Sequence, residues 1–394
     1  MTPPWTFHSA GSLLFGTGAV AQLGAVAERL RAKRIFIVTD RILVEVGVLE
    51  RVLAPLAGLE VTVFDGGQPE PALEVIRAAT EAAWKAKPDA VLGLGGGSNM
   101  DAAKLVALVL AHGGDATDYT GDCRVPGPIL PLICVPTTAG TGSEVSAAAV
   151  FTDTEKKMKV SCLSPYLRPA AAVVDPSLTA TCPAKVVADS GIDALTHAIE
   201  ALTAVNHAEF LARPPGGETV YQGNNPMADV MAKECIRLVG QHLATAVRHR
   251  SDAAACEGMA LAATLGGLAF ANAGVALVHA MEYPVGGAVH VSHGAGNGLL
   301  LPYVMRFNAT ASGERIREVG AAFLGRPATV DETIAAIETL REAIGIPLRL
   351  RELGVTEAML PGFADRAAGI TRLLRVNARP ATRDDILGIY REAW

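Results

Sequence analysis

The sequence predicts an α/β domain with a parallel sheet over residues 1–183, followed by an all-helical domain over residues 184–394. Three observations carry this expectation. The chain has 394 residues, more than one typical domain, so two domains with a cleft between them are the natural division. Its first 180 or so residues alternate short β-branched runs with helix-length amphipathic stretches, the pattern of βαβ units. Beyond about residue 183 the strand signal disappears and only helical periodicity continues.

In order along the chain, the expected strands are Arg34 to Thr39, Glu60 to Phe64, Ala90 to Leu94, Pro131 to Val135 and Ala171 to Val174. A very short run, Ser12 to Phe15, precedes them, and a helix is expected from Ala19 to Leu30. The helical half offers Ala184 to Leu202, Pro226 to His249, Asp252 to Phe270, Thr329 to Ile344 and Arg383 to Tyr390. Between the first two of these, Ala208 to Asn225 contains Arg-Pro-Pro-Gly-Gly and Gln-Gly-Asn-Asn-Pro and reads as a surface excursion.

Composition narrows the function classes. Half the residues are apolar, 19% are charged and 40 are glycine, which fits a compact enzyme with many tight turns and argues against disorder. The net charge of −6 is spread out, with no basic run beyond local clusters such as Arg248 to Arg250, so nucleic acid is not an expected partner. The opening Met-Thr-Pro-Pro-Trp-Thr-Phe-His lacks a basic segment leading into an apolar one, and a cytoplasmic protein is the expectation. Apolar stretches such as Leu261 to Ala280 are interrupted by Gly, Asn, Thr or His and read as buried helices rather than membrane spans. The six cysteines form no Cys-x-x-Cys and are expected to be reduced and mostly buried.

Gly16-Thr-Gly18-Ala-Val-Ala21 matches a dinucleotide fingerprint, but its strand is very short, and a turn opening a helix is the better reading. Gly95-Gly96-Gly97-Ser98-Asn-Met-Asp101-Ala-Ala-Lys104 is the stronger phosphate loop, since it leaves an apolar strand and enters a helix. Glycines there admit a pyrophosphate, and helix N–H groups stabilise it. Pro136-Thr137-Thr138-Ala-Gly-Thr141-Gly-Ser143-Glu144 leaves another buried strand and supplies hydroxyls at the same sheet edge. Asp40, at the end of a strand, is placed either to accept from adenosine ribose hydroxyls, favouring NAD over NADP, or to cap the helix after it.

Asp193 and His197 are four residues apart in Gly191-Ile-Asp-Ala-Leu-Thr-His-Ala-Ile-Glu200, which puts them on one helix face. Alone such a pair is usually a hydrogen bond or salt bridge. His279 and His293 follow in a segment otherwise too apolar to need imidazoles, and a cation would give each a partner. One carboxylate and three imidazoles suit Fe(II), Zn(II), Mn(II), Co(II) or Ni(II).

Taken together, Gly95-Gly-Gly-Ser-x-x-Asp101-x-x-Lys104, Pro136-Thr-Thr-Ala-Gly-Thr-Gly-Ser-Glu144, Gly191-x-Asp193-Ala-x-x-His197-x-x-Glu200 and His293-Gly-x-x-Asn297-x-x-Leu-Leu-Pro302 resemble the iron-containing (group III) alcohol dehydrogenases, and the likeness spans essentially the whole chain. The resemblance implies a Rossmann-like first domain binding NAD(P), a helical second domain, and one divalent metal, iron above all, held in the cleft by Asp193, His197, His279 and His293. It implies that Asp40, Gly96, Gly97, Ser98, Thr137, Thr141, Lys159 and Leu178 line the dinucleotide, with Gly95, Asp101, Thr138 and Ser143 in the same two loops. A homodimer or larger assembly is implied too, with the Ser12 to Phe15 strand pairing between subunits.

Many members carry a histidine where this chain has Tyr283, four residues after His279, so Tyr283 or His290 is a candidate for proton relay; ribose hydroxyls and water are the alternative. The expected reaction is NAD-linked interconversion of an alcohol with an aldehyde or ketone, the cation polarising the substrate oxygen. Three rivals stand beside it. An ω-hydroxy acid (4-hydroxybutyrate-type) dehydrogenase or transhydrogenase would need a carboxylate-binding cation, for which Arg213 is the candidate. A non-catalytic sensor of NAD and metal is disfavoured by the complete ligand set. A lyase of the dehydroquinate synthase type shares the architecture but not the ligand motifs.

Overall fold

The computed structural model describes residues 3–153, 158–214 and 218–394, and the chain divides into two compact units. One comprises residues 8–182 with 218–220; the other comprises 1–7, 183–217 and 221–394. The first seven residues thus count with the helical unit, and a three-residue piece of the excursion with the α/β unit.

The α/β unit is built on six parallel strands: β1 (Leu13–Phe15), β2 (Arg34–Val38), β3 (Glu60–Phe64), β4 (Ala90–Gly95), β6 (Leu132–Pro136) and β9 (Ala171–Val174). They are ordered β1-β9-β6-β4-β2-β3. The inner strands β2, β4, β6 and β9 are buried on both faces, which is why they read as near-continuous apolar runs, while the edge strands β1 and β3 are partly exposed. Side chains alternate between two cores. Phe36, Val38, Val91, Leu132 and Cys134 pack with the helices Leu73–Ala86 and Gly97–His112. Ile35, Ile37, Leu92, Leu94, Ile133 and Val135 pack with Leu23–Arg29 and Val48–Leu53.

After β2 the chain steps outward to β3, then returns to place β4 on the other side of β2 and continues toward β6. The connections therefore diverge between β2 and β4, the position where ligands bind open α/β sheets. A second sheet, β5 (Gly121–Asp122), β8 (Met158–Leu163) and β7 (Ala148–Asp153), does not appear among the expected strands. Its β7 opens on two alanines and β8 is interrupted by Lys159 and Ser161, so neither carries a clean β-branched run.

In the helical unit the described residues form no strand. The expected helices are present as Ala184–Thr203, Pro226–Arg248, Ala253–Ala273, Val330–Ala343 and Arg383–Ala393. Side-chain caps explain several starts: Asn225 accepts from Met227 and Ala228 N–H, Asp252 from Ala255, and Thr329 forms a capping box with Glu332. Ala253–Ala273 is long and apolar enough to cross a membrane, but 72% of its most apolar window is buried inside the protein.

The periodicity does not reveal Leu277–Val289, with Pro284 inside it, or His293–Leu324, which bends at Ser312. The expected surface excursion is also more built than its composition suggests. His207–Ala212 is helical, Val220, Tyr221, Asn224 and Asn225 are buried, and Pro215 to Gly217 lie outside the described residues.

Candidate functional site

The metal candidates sit in the helical unit on three helices. Asp193 and His197 lie one turn apart on Ala184–Thr203, both buried, with Nε2 of the imidazole 3.8 Å from the carboxylate. His279 falls in the first turn of Leu277–Val289, and His293 is the first residue of His293–Leu324. Glycines set the approach of the last helix. A Cβ at Gly294 would stand 2.0 Å from the Asp189 carbonyl oxygen, and one at Gly298 would stand 2.7 Å from the Ile192 side chain. Only side-chain-free positions let His293 come alongside Asp193.

Potential ligand atoms of Asp193, His279 and His293 all lie within 4.8 Å of one another. The rings of His197 and His279 stack at 4.9 Å, and His279 meets His293 edge-on at 5.2 Å. His197 also stacks on Phe270 at 4.3 Å, and its Nδ1 has no hydrogen-bond partner.

Carboxylates that the sequence reading left without a role orient the other two imidazoles. Glu200 accepts from Nδ1 of His279 at 2.6 Å and from the backbone N–H of Ala276 (2.8 Å) and Val278 (2.6 Å), so it also caps the start of that helix. Glu282 accepts from Nδ1 of His293 at 2.5 Å, and a Cβ at Gly296 would meet its Cγ at 2.8 Å. With Nδ1 donating to a carboxylate, a neutral imidazole carries its free lone pair on Nε2, the tautomer a metal requires. Asn297 donates to Asp193 at 2.8 Å, with the same nitrogen 3.2 Å from Nε2 of both His279 and His293. The spacing does hold a signal for all three. Glu200 lies three residues after His197, Glu282 three after His279 and Asn297 four after His293, each one helical turn from a ligand.

Burial opposes ionisation of Asp193, yet the neighbouring His197, His293 and His279 and the Asn297 amide hold its carboxyl below the usual carboxylate range. Burial pushes the His197 imidazole down to about 4, against an upward pull from Asp193, so it is neutral at pH 7. An ionised Asp193 carboxylate with ring nitrogens of His279 and His293 within 4.8 Å, and the neutral His197 imidazole beside them, is a donor set that fits a divalent cation.

Of the relay candidates, Tyr283 stands beside the cluster, its ring 5.8 Å from that of His293. His290 is exposed at the left-handed C-cap of its helix, φ 53°. Among the described residues the ring contacts run from His197 through His279 and His293 to Tyr283 and do not include it. Arg213 is already committed, donating to the carbonyls of Arg375, Asn377 and Ala378 and to Glu209, so it is not a free carboxylate binder.

In the α/β unit, β4 ends at Gly95 (φ 141°) and the 16-residue helix Gly97–His112 begins with no side-chain cap on its N-terminus. Uncapped N–H groups behind glycines form an anion site. The loop after β6 lies against it: a Cβ at Gly97 would meet Thr141 at 2.8 Å, and one at Gly96 would meet Thr138 at 3.4 Å. Thr137 is buried, its N–H bonded to the Gly95 carbonyl at 3.0 Å.

Asp101 and Ser143 are joined to each other at 2.6 Å, Asp101 also accepting from Val150 N–H. Lys104, fully buried, donates to Ser143, Ser146 and the Ala148 carbonyl. These polar atoms face inward and brace the two loops. Lys159 pairs with Glu70 at 2.6 Å, and Glu70 N–H donates to Ser98, which links Lys159 to the first loop. Leu178 is packed into the sheet core.

Asp40 caps the helix Arg41–Glu45 through Leu43 N–H and accepts from Asn99 at 2.7 Å. The Gly16 to Ala21 fingerprint is occupied by the protein itself, since Asp175 accepts from Gly18 and Val20 N–H; the turn reading holds there.

Comparison with known proteins bears on the same features. Residues 10–176 match the model of the iron-containing alcohol dehydrogenases, and residues 219–394 match the C-terminal model of the same family. The chain is 38% identical over 390 residues to a long-chain-alcohol dehydrogenase of Geobacillus thermodenitrificans, covering 96% of this chain and 94% of the relative. It is 34% identical to an NAD-dependent methanol dehydrogenase of Bacillus methanolicus, covering 96% and 97%. The crystal structure of a 1,3-propanediol oxidoreductase superposes with a TM-score of 0.91 at 34% identity and full coverage of both chains.

Proposed function

Because the chain belongs to the iron-containing alcohol dehydrogenase family and is an oxidoreductase acting on alcohols and aldehydes, we propose that it interconverts a small alcohol and its aldehyde or ketone using NAD and one divalent cation, Fe(II) by preference. The observation that carries this reading is the pairing of the Nδ1 atoms of His279 and His293 with Glu200 and Glu282, which turns both Nε2 atoms toward the side where Asp193 and Asn297 lie, with ligand atoms of Asp193, His279 and His293 within 4.8 Å of one another. Asp193, His197, His279 and His293 hold the cation. When bound, the cation supplies a Lewis acid for the substrate oxygen and the nicotinamide supplies the hydride acceptor.

The chain's own residues do the rest. Glu200 and Glu282 fix tautomer and ring orientation, Asn297 holds the Asp193 carboxylate, and Phe270 confines His197. The Tyr283 phenol, next to His293, exchanges the proton that alcohol oxidation releases. The uncapped helix at Gly97 and the hydroxyls of Thr138 and Thr141 receive the pyrophosphate, and Asp40 accepts from the adenosine ribose, which favours NAD over NADP. A homodimer or larger assembly belongs to this proposal, supported by the short edge strand β1 with its exposed Leu13, as does a cytoplasmic location.

The test is substitution of Asp193 or His279 by Ala. Turnover of a primary alcohol with NAD, followed at the NADH absorbance band, is abolished while NAD still binds. Wild-type turnover in either variant after thorough chelation sinks the reading.

A further inference from the structure

We propose that Asn99 is a positioning and specificity-determining residue for the dinucleotide, holding the Asp40 carboxylate in the orientation that accepts a free ribose and rejects a 2′-phosphorylated one. The inference rests on the reading of Asp40 as the ribose-binding acid.

Asn99 lies in the first turn of Gly97–His112, yet its side chain is only 3% exposed. Its amide nitrogen makes two donations, at 2.7 Å to Oδ2 of Asp40 and at 3.0 Å to the carbonyl of Leu94 at the end of β4. The other oxygen of Asp40 accepts from Leu43 N–H at 3.1 Å. Each carboxylate oxygen therefore has one partner within the protein and lone-pair capacity left over, and the group has lost its freedom to rotate.

Three strand ends converge on this one amide. A Cβ at Gly95, the last residue of β4, would stand 2.2 Å from its nitrogen. A Cβ at Gly67, beyond β3, would stand 2.2 Å from its oxygen and 2.6 Å from the Thr39 carbonyl oxygen at the end of β2. The two glycines make room for Asn99, and Asn99 fixes Asp40 to the glycine loop that opens the uncapped helix Gly97–His112. An unpinned Asp40 could turn toward solvent, which would weaken its bonds to ribose hydroxyls and equally its repulsion of a phosphate.

The experiment measures equilibrium dissociation constants of NAD and NADP for wild type, Asn99→Ala, Asn99→Ser, Asp40→Ala and the Asp40→Ala/Asn99→Ala double variant, with thermal melting of each. Asn99→Ser keeps a small polar group and serves where the alanine variant melts early. Loss of one charge-assisted hydrogen bond predicts NAD binding weakened about tenfold in Asn99→Ala, NADP changed less than about threefold, and no further change when Asn99→Ala is added to Asp40→Ala. Equal weakening of both dinucleotides, or none, overturns the proposal while a selectivity shift in Asp40→Ala leaves the ribose reading standing. If Asp40→Ala leaves the NAD-to-NADP ratio unchanged, the ribose reading falls and this inference falls with it.

Discussion

Replacing Glu200 by Gln removes one acceptor oxygen from a buried group that now receives three N–H donors, from Ala276, Val278 and His279. The amide keeps one oxygen. Placed over Ala276 and His279, that oxygen leaves the new NH₂ facing the Val278 N–H, so two donors share a buried space without an acceptor. Each such group costs about 1–3 kcal/mol, so the metal-free protein loses about 2–6 kcal/mol. At about 2–4 °C per kcal/mol for a unit of this size, the melting temperature falls by roughly 5–20 °C. If the amide turns instead to satisfy the backbone, the His279 ring loses its anchor and cation affinity falls about 10- to 100-fold. Melting of the chelated protein and competition against a chromophoric chelator read the two costs separately. Unchanged values in both assays would refute the orienting role of Glu200.

Other expectations follow from the same contacts. Lys104→Met leaves Asp101, Ser143, Ser146 and the Ala148 carbonyl without their buried donor, and urea denaturation is expected to show a loss of about 3–5 kcal/mol. Chelation lowers the melting temperature of wild type, by an amount equivalent to about 4 kcal/mol where the free cation had stood a thousandfold above its dissociation constant. His293→Ala abolishes that difference. Burial pushes the thiols of Cys134 and Cys162 up to about 12, so both are neutral at pH 8 and their thiolates appear only near that value. Alkylation of the native protein, read by mass spectrometry, therefore reaches half-buried Cys182 before either; fast labelling of Cys134 contradicts the packing.

Much of the α/β unit was legible because strands covered on both faces must be apolar: Ala90–Gly95, Leu132–Pro136 and Ala171–Val174 stand out as apolar runs. Leu277–Val289 was not, since Pro284 and the glycines at 286 and 287 interrupt helical periodicity and tertiary packing overrides their low propensity. The four metal candidates were nominated from spacing joined to a family likeness, and the fold brings Asp193, His279 and His293 together with His197 beside them. The groups that orient them, Glu200, Glu282 and Asn297, carry only a one-turn spacing from a candidate ligand, a signal that many polar helix residues share until their partners are known. The same limit explains Asp101 and Ser143. Their loops were recognisable, but sequence does not say which hydroxyl or carboxylate turns inward to Lys104 and which faces out. Arg213 resembled a spare cation in a loop, and only the fold reveals the three carbonyls that hold it.

Alcohol oxidation by this chain is proposed to depend on one divalent-cation site formed by Asp193, His197, His279 and His293. Its most direct test is metal-depleted protein titrated with Fe(II) under anaerobic conditions, with bound metal and NADH formation from a panel of primary alcohols and diols measured on the same samples. Activity is expected to rise in proportion to occupancy and to saturate at one equivalent per chain, and His279→Ala is expected to gain neither. Full NADH formation in the metal-depleted protein, or saturation with His279→Ala at the same equivalence, would contradict it.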